Sequence, residues 1–201
     1  MRLGPERFEQ AAELLAAAFF DDPAFHWALP DPARRRAALR WLYRRLVAMD
    51  ARVGEATALV DDDVLAGVAL WMPPTRSTGV ADLLRAGLFA TPLELGPRAT
   101  SRLVASLVAM ETVKRRRIGR EPHALLDVLG VAPAHQGRGV GRALLADRLE
   151  GALRGQACLL FTTKPGNVAY YRRSGFAVVD ERVVGGVGGF VLWTMARPAG
   201  P

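Results

Sequence analysis

The spacing of apolar residues changes from helical to strand-like along the chain. Over 5–20 the apolar positions follow the helical period, which predicts a helix that ends at the acidic pair before Pro23. A second helical pattern runs from about 31 to 49, with Asp31 as a candidate N-cap ahead of a proline. The residues between these helices, 25–30, predict an aromatic connector.

Beyond residue 55 the pattern shortens to the two-residue period of strands. The order predicts an α/β (α+β) architecture with a partly parallel sheet, in a single domain over 1–201 with a helical insertion at about 75–120. The predicted segments are strands at 56–60 and 64–72, two helices within 77–119 separated at Thr91-Pro92, a strand at 124–131, a helix to about 153, a strand at 157–163, a short helix at 166–174 and two final strands.

The composition favours a globular domain with an anionic partner. Half of the 201 residues are apolar, and 27 Lys and Arg against 20 Asp and Glu give a net charge of +7. The single cysteine, Cys158, excludes an intramolecular disulfide, and three scattered histidines give no metal-ligand spacing. With no secretory signal pattern and no run of membrane-span length, we expect a cytoplasmic protein that binds no metal and no membrane.

Three glycines alternate where the strand at 124–131 meets the next helix. Gly137, Gly139 and Gly141 belong to the stretch QGRGVGR, which ends at Arg142. Backbone N–H groups at a helix N-terminus attract phosphate, and glycines remove the side chains that block its approach. The stretch is not a dinucleotide fingerprint, because its sixth position is Arg142, and it is not a Walker loop. A pyrophosphate cradle and an ordinary strand-to-helix turn remain the alternatives on this motif alone.

A second motif lies about thirty residues further on. Asn167, Tyr171 and Gly175-Phe176 have the spacing N-x-x-x-Y-x-x-x-G-F. Together with V-x-P-x-x-Q-G-x-G-x-G from Val131, this motif resembles the two signature blocks of the GNAT superfamily of acetyl-CoA-dependent N-acetyltransferases. Residues 121–198 and the stretch FDDPAFHWALPDPARRR resemble in particular the puromycin N-acetyltransferase-type branch.

The resemblance implies a GNAT fold and a cosubstrate. The fold has a central mixed twisted sheet of about six to seven strands flanked by helices, with the strands at 124–131 and 157–163 splayed apart. Acetyl-CoA is then held at the glycine turn, and a backbone N–H near 129–131 polarises its thioester. The residues expected to bind it are Leu129, Val131, Gln136, Gly137, Arg138, Gly139, Val140, Gly141, Arg142, Asn167 and Tyr171.

Tyr171 is the candidate general acid. The resemblance puts the catalytic tyrosine four residues before Gly-Phe, and a phenol can protonate a thiolate leaving group. Its neighbour Tyr170 is then expected in the core. Asn167 is expected either to bond the pantetheine arm or to cap the short helix.

The general base does not follow from the resemblance. Enzymes of the resembling branch usually carry Glu where this chain has Phe161. Asp127, an acid in an otherwise apolar strand, is a candidate base or water relay, with a structural or edge-exposed role as the alternative. Glu121 and His123 are weaker candidates, and an amine of low pKa needs no dedicated base.

These motifs predict an N-acetyltransferase that uses acetyl-CoA to acetylate a primary amine of a small molecule by direct attack in a ternary complex. His26, Trp27 and Phe161 are the candidate acceptor-binding residues, and core packing is the alternative for them. A catalytically silent acetyl-CoA sensor is favoured by the absence of Glu at 161. The net charge and the KRRR run at 114–117 favour a nucleic-acid binder, although no recognition motif accompanies them and no nucleic acid is expected. Monomer and homodimer both remain open.

Overall fold

The computed structural model describes residues 1–76, 78–118 and 122–200. Within them the chain forms eight α-helices and six β-strands. The helices are α1 (Phe8–Ala18), α2 (Pro23–Ala28), α3 (Pro32–Val53), α4 (Val80–Arg85), α5 (Thr91–Glu94), α6 (Pro97–Val113), α7 (Val140–Glu150) and α8 (Pro165–Arg172). The strands are β1 (Glu55–Asp61), β2 (Val64–Met72), β3 (Ala124–Val131), β4 (Cys158–Thr162), β5 (Ala177–Val184) and β6 (Phe190–Arg197).

Aspartate caps organise the N-terminal helices. Asp22 accepts the Ala24 N–H at 3.0 Å, and Asp31 accepts the Ala33 N–H at 2.9 Å, each ahead of a proline at the first helical position. The connector predicted at 25–30 is therefore wrong, because most of it belongs to α2. α1 already ends at Ala18, with Phe19 as its C-cap, so the Asp-Pro step predicted to stop the first helix begins the second one instead.

Arg35 is an exception to the amphipathic pattern of α3. The sequence places the arginines of this helix on its solvent face, but Arg35 is only 3% exposed. Its guanidinium donates to the carbonyl oxygens of Leu29 at 2.7 Å and Pro30 at 2.9 Å, and also to that of Phe20. The charge is thus satisfied by backbone acceptors, and it fixes the junction of α1, α2 and α3.

The sheet has the order β1-β2-β3-β4-β6-β5, and β3–β4 is its parallel pair. The other neighbouring strands run antiparallel, so the predicted mixed sheet is confirmed with six strands. Helices α1 and α3 pack on one face around a cluster that includes Leu15, Leu39 and Val68. On the opposite face α7 and α8 bury a second cluster that includes Leu145 and Leu160. The parallel pair lies in the middle of the sheet, between these two layers.

Helices α4, α5 and α6 fill the region predicted as helical between 77 and 119. The break predicted at Thr91-Pro92 is instead the start of α5, since Pro92 occupies the first turn of that helix. A π-helical turn, Lys114–Ile118, follows α6. Among the described residues, no helix combines the length and the apolar character needed to cross a membrane.

Candidate active site

The glycine-rich turn leaves bare backbone in front of α7. Gly137 and Gly139 have φ values of 77° and 83°, a left-handed conformation that L side chains rarely adopt. A Cβ atom built on either glycine meets nothing within 4 Å, so this face of the turn is open. The Ala143 N–H bonds to the Gly139 carbonyl at 2.9 Å, which closes the first turn of α7. The N–H groups of 140–142 therefore have no acceptor inside the helix and are available to an anion.

Side chains shape the same turn, residues 136–142, which we term the phosphate cradle. Gln136 Nε2 donates to the Val131 carbonyl at 3.2 Å and so ties the cradle to the end of β3. Arg138 and Arg142 are both exposed and add positive charge beside the backbone donors. The open glycine face, the N–H groups and the two guanidinium groups together fit a pyrophosphate.

β3 and β4 pair along only part of their length. The parallel register begins at Ala124–Cys158 and ends at Leu126–Leu160, whereas β3 continues to Val131. Beyond the last pair the two strands are no longer hydrogen-bonded to each other, and we term the region between them the slot. This agrees with the splayed strands that the resemblance implied.

The slot opens at a β-bulge. Leu70 of β2 pairs with Val128, and the next β2 residue, Trp71, pairs with Leu126, so Asp127 is the extra residue of the bulge. A bulge bends its strand and increases the local twist, which accounts for the divergence of β3 from β4 at this point. The one acid of β3 therefore sits where the slot begins.

The edge of β3 that borders the slot carries backbone N–H groups that point away from β2. The Ala132 N–H donates to the Ala66 carbonyl at 2.9 Å, toward β2. Because successive residues of a strand alternate their N–H direction, those of Leu129 and Val131 point to the opposite edge, into the slot. These are the N–H groups that were expected to polarise a thioester carbonyl.

Tyr171 is buried beneath the sheet, with 7% of the residue exposed. Its ring lies 5.1 Å from that of Tyr170 and 6.1 Å from that of Phe176, both edge to face. Burial raises the pKa of Tyr171 well above that of a free phenol, and Tyr170 raises it further. The hydroxyl therefore stays protonated at neutral pH, as a proton donor requires.

Tyr170 has a contact that its expected core role does not explain. Its hydroxyl oxygen lies 2.8 Å from the position that a Cβ on Gly141 would take. The hydroxyl is buried and has no hydrogen-bond partner in the described chain. Burial raises the pKa of Tyr170, and nearby Arg142 partly opposes this. A polar atom in need of a partner thus lines the inner side of the phosphate cradle.

Asn167 does not cap the short helix. The N-cap is Lys164, and α8 begins at Pro165, so Asn167 lies inside the helix. Asn167 Nδ2 donates to Thr162 Oγ1 at 3.0 Å and joins α8 to the end of β4. Of the two roles expected for Asn167, the cap is wrong, and contact with pantetheine stays a prediction.

Two of the aromatic residues predicted for acceptor binding come together. Phe161 and Trp27 both pack against the buried cluster that contains Phe190, and the Trp27 ring lies 5.7 Å from the Phe190 ring. The Arg102 guanidinium lies 5.3 Å from the Trp27 ring centroid. Because Phe161 directly follows the last β4 residue paired with β3, this apolar wall adjoins the mouth of the slot.

His26 has polar surroundings at the junction of α1 and α2. Arg35 donates to His26 Nε2 at 2.9 Å, and Asp21 Oδ1 lies 3.3 Å from the same nitrogen. The His26 side chain is 51% exposed. These contacts separate it from the aromatic wall that holds its neighbour Trp27, and its role toward an acceptor stays a prediction.

Asp127 has a second carboxyl beside it, that of Asp50 in the last turn of α3. Asp50 is completely buried, and neither of its carboxyl oxygens accepts a hydrogen bond from an N–H or hydroxyl group. The charge of Asp127 acts on the Asp50 carboxyl, so the two acids are close neighbours. Burial raises the pKa of both, and Lys114 partly opposes this at Asp127. Asp127 nevertheless differs from Asp50 in that part of its surface is exposed to solvent.

A third carboxyl, Asp22, joins the N-terminal helices to β4. Thr163, immediately after β4, donates its hydroxyl to Asp22 Oδ2 at 2.6 Å. Burial raises the pKa of Asp22, while the bond from Thr163 and the charge of Lys164 lower it. Of the remaining candidates, His123 precedes β3, and Glu121 lies outside the described residues. In the described ranges, no three His, Cys, Asp or Glu side chains gather as a metal site.

Asp50 and Tyr170 are candidate site residues that were not predicted from the sequence. For Asp50 a signal existed, because it lies between Val47 and Val53 on the apolar stripe of α3, where an unpaired acid is unexpected. For Tyr170 no signal existed. Two adjacent tyrosines compete for one motif position, and only the fold shows that the hydroxyl of the first reaches Gly141.

A family comparison covers most of these elements. Residues 102–178 match the model of the acetyltransferase (GNAT) domain. The matched range includes the bulge, the slot edge, the phosphate cradle and α8. Helices α1, α2 and α3, and with them Asp50, lie outside the match.

Individual relatives agree with this match. N-alpha-acetyltransferase RimI of Mycobacterium tuberculosis is 40% identical over 88 residues, which are 42% of this chain and 56% of that protein. The match thus spans a little over half of that relative's length. A protein of Corynebacterium glutamicum described as "histone acetyltransferase HPA2 and related acetyltransferase" has a similar fold, with a TM-score of 0.70 and 21% identity over 100% of this chain and 96% of that chain. The polyamine N-acetyltransferase of Drosophila melanogaster gives a TM-score of 0.66 and 16% identity, and the match covers 97% of this chain and 96% of that chain.

Proposed function

Because the chain contains a GNAT acetyltransferase domain, we propose that it transfers an acetyl group from acetyl-CoA to a primary amine of a small molecule. The amine attacks directly, in a ternary complex. The observation that carries the proposal is the continuity of the phosphate cradle with the slot. Gln136 binds the end of β3, and the N–H groups of β3 then lead along the slot edge to Asp127.

The donor half consists mostly of backbone. GNAT acetyltransferases use acetyl-CoA as their donor, and the N–H groups of 140–142, with Arg138 and Arg142, would hold its pyrophosphate. The N–H groups of Leu129 and Val131 would stabilise the oxygen that gains negative charge when the amine attacks. None of these groups changes its protonation state, so this half binds and polarises.

Tyr171 supplies the proton to the departing sulfur. Its raised pKa keeps it protonated, but the same shift makes it a weaker acid than a free phenol. Complete transfer to a thiolate of pKa about 8.5 is therefore unfavourable by itself. We infer that Tyr171 recovers a proton from the attacking nitrogen as it gives one up, so that no phenolate accumulates.

Asp127 is the proposed base. Asp127 lies at the mouth of the slot, directly after the last β3–β4 pair, and Phe161 has the equivalent place on β4. The branch that this chain resembles carries Glu at the position of Phe161. A carboxylate on the facing strand therefore substitutes for the one that is missing at 161, which answers the only feature in favour of a silent sensor.

A small cationic amine is the acceptor class that the charges favour. Asp127 presents a carboxylate to the slot, and the aromatic wall of Trp27 and Phe161 adjoins it. An ammonium group with an organic body suits this combination of an anion and apolar surface. The name of the Drosophila relative, a polyamine N-acetyltransferase, supports this class, and that of RimI makes an α-amino group the alternative.

Release of CoA thiol, measured with a panel of polyamines, arylalkylamines and peptide amines, tests the proposal. Turnover is expected with at least one small amine, and Tyr171→Phe is expected to reduce kcat by about 100-fold or more while acetyl-CoA binding is retained. Ser101→Ala, which removes an exposed hydroxyl on α6, is the matched control. Acetyl-CoA binding without turnover across the panel would instead establish a sensor.

A further inference from the structure

We propose that Asp50 and Asp127 form a carboxyl pair that holds one proton between them, and that this pair takes the proton of the acceptor ammonium through Asp127. Asp127 is the catalytic member, because it is exposed and directly follows the last β3–β4 pair, where the slot begins. Asp50 is a positioning residue, because it acts through Asp127. The inference rests on the proposed acetyltransferase function and names the buried partner that makes its base effective.

The burial of Asp50 requires a proton on its carboxyl. A buried carboxylate that accepts no hydrogen bond is strongly disfavoured, and a second carboxyl beside it disfavours the charge further. Asp50 has 0% exposure, and no N–H or hydroxyl group donates to either of its oxygens. The neighbouring carboxyl is that of Asp127, which offers an acceptor for such a proton. The proton that satisfies this buried group is therefore its own, donated to Asp127.

The surroundings decide which member keeps the proton. Burial raises the pKa of Asp50 strongly, and the charge of Asp127 raises it further. At Asp127 burial also raises the pKa, but the bond from Asp50 and the cation of Lys114 lower it. Tyr43, from α3, is fully buried near Asp127 and Asp22, and burial keeps its phenol neutral. At neutral pH the pair therefore carries one negative charge, on the oxygen that faces the slot.

That single charge suits an ammonium substrate. Asp127 attracts the ammonium, accepts one of its protons and leaves a neutral amine, whose lone pair forms the new C–N bond as the C–S bond breaks. Of the three ammonium protons, one moves to Asp127, one stays on the amide nitrogen, and one replaces the proton that Tyr171 gives to sulfur. Asp127 then releases its proton to solvent when the product leaves. A moderately raised pKa makes Asp127 a better proton acceptor than an exposed carboxylate.

Three variants separate this role from a structural one. Asp127→Asn removes the base, and kcat is expected to fall about 100-fold or more with acetyl-CoA affinity unchanged. Asp50→Asn keeps a neutral donor to Asp127, so kcat stays within about threefold of wild type and the acidic limb of the kcat/KM profile stays in place. Asp50→Leu removes the donor, and that limb is expected to move to higher pH by about one unit. Asp62→Asn, in the exposed β1–β2 turn, is the control.

Two outcomes would overturn the proposal. One is an Asp127→Asn variant that keeps wild-type kcat, and the other is an Asp50→Leu variant that keeps the wild-type acidic limb. A purely structural Asp50 would change thermal stability in Asp50→Leu but leave the limb where it is. The contrast between Asn and Leu at one position therefore carries the test.

A spectroscopic measurement covers the case in which a variant fails to fold. NMR of wild-type protein labelled at the aspartate carboxyl carbon is expected to show a carboxyl that stays protonated at neutral pH and is missing from Asp50→Asn. If the Asp50 carbon titrates like that of an exposed aspartate, the shared proton is refuted whatever the activity. If wild type acetylates no amine, the proposed function fails, while this spectrum still decides whether the pair exists.

Discussion

The two halves of the candidate site are built from different material. The proposed donor half is a contiguous stretch, 136–142, in which backbone N–H groups, held in place by glycine conformations, would bind the cofactor. The proposed acceptor half draws on side chains from separate elements: Trp27 on α2, Asp50 on α3, Asp127 on β3 and Phe161 on β4. A short local sequence is therefore enough to form the donor half. The acceptor half forms only when elements that are distant in the sequence pack together.

This difference has a chemical consequence. Backbone donors have no pKa in the working range, so the donor half should bind in the same way across neutral pH. The acceptor half contains Asp22, Asp50 and Asp127, and burial raises the pKa of all three. Dependence on pH is thus expected to enter through the acceptor side, and binding and catalysis should separate when pH is varied.

The strongest way to break the comparison is to add a side chain to the donor half. Gly139→Val places atoms where the open cradle would receive phosphate and forces a β-branched residue to a φ of 83°. With several charge-assisted bonds lost, acetyl-CoA affinity is expected to fall about 100-fold or more by calorimetry.

Gly188→Val is the matched control for that change. Gly188, between β5 and β6, has a φ of 78°, and its built Cβ also meets nothing within 4 Å. Both variants are expected to lose about 1–2 kcal/mol of unfolding free energy from backbone strain. Only the Gly139 variant should lose acetyl-CoA binding. Equal acetyl-CoA affinity in the two variants would contradict the assignment of the phosphate cradle to acetyl-CoA binding.

A smaller effect tests the acceptor half through stability. Thr163→Val deletes the hydroxyl that donates to Asp22, and it is expected to cost about 1–3 kcal/mol at neutral pH. Burial raises the Asp22 pKa in the folded protein above the unfolded value of 3.8. The contribution of Asp22 to stability therefore falls as pH rises from the unfolded pKa through the folded pKa. Losing the Thr163 bond raises the folded pKa further. The deficit of the variant should therefore grow with pH above about 4.

Urea unfolding at a series of pH values measures this deficit. Thr112→Val, which removes a hydroxyl that bonds only within α6, is the control and should change stability by less than about 0.5 kcal/mol at each pH. A Thr163→Val deficit that is constant with pH would mean that Asp22 does not titrate in the window inferred from its burial.

The same division explains what could be predicted from the sequence. The cradle and Tyr171 follow from spacing, because each motif lies within one short segment. The bulge at Asp127 could not be predicted, since it depends on how β2 pairs with β3. The place of Asp50 could not be predicted either, because it depends on the packing of the last turn of α3 near Asp127, which is distant in the sequence. α2 was missed for a local reason, because the acidic pair predicts the end of the first helix, whereas Asp22 caps the second.

The smallest expected effect probes the boundary between the halves, at Tyr170. In the free protein its hydroxyl is buried without a partner, a state that costs about 1–3 kcal/mol. Tyr170→Phe is therefore expected to raise the free energy of unfolding of the free protein by about 1 kcal/mol. If the hydroxyl serves bound acetyl-CoA from beside Gly141, the same variant should weaken its binding by about threefold to tenfold. Chemical denaturation without ligand measures the change in stability, and calorimetry with acetyl-CoA measures the change in affinity. A gain in stability with a loss of affinity would assign the hydroxyl to the donor half, whereas a gain in stability with unchanged affinity would leave Tyr170 as a packing residue.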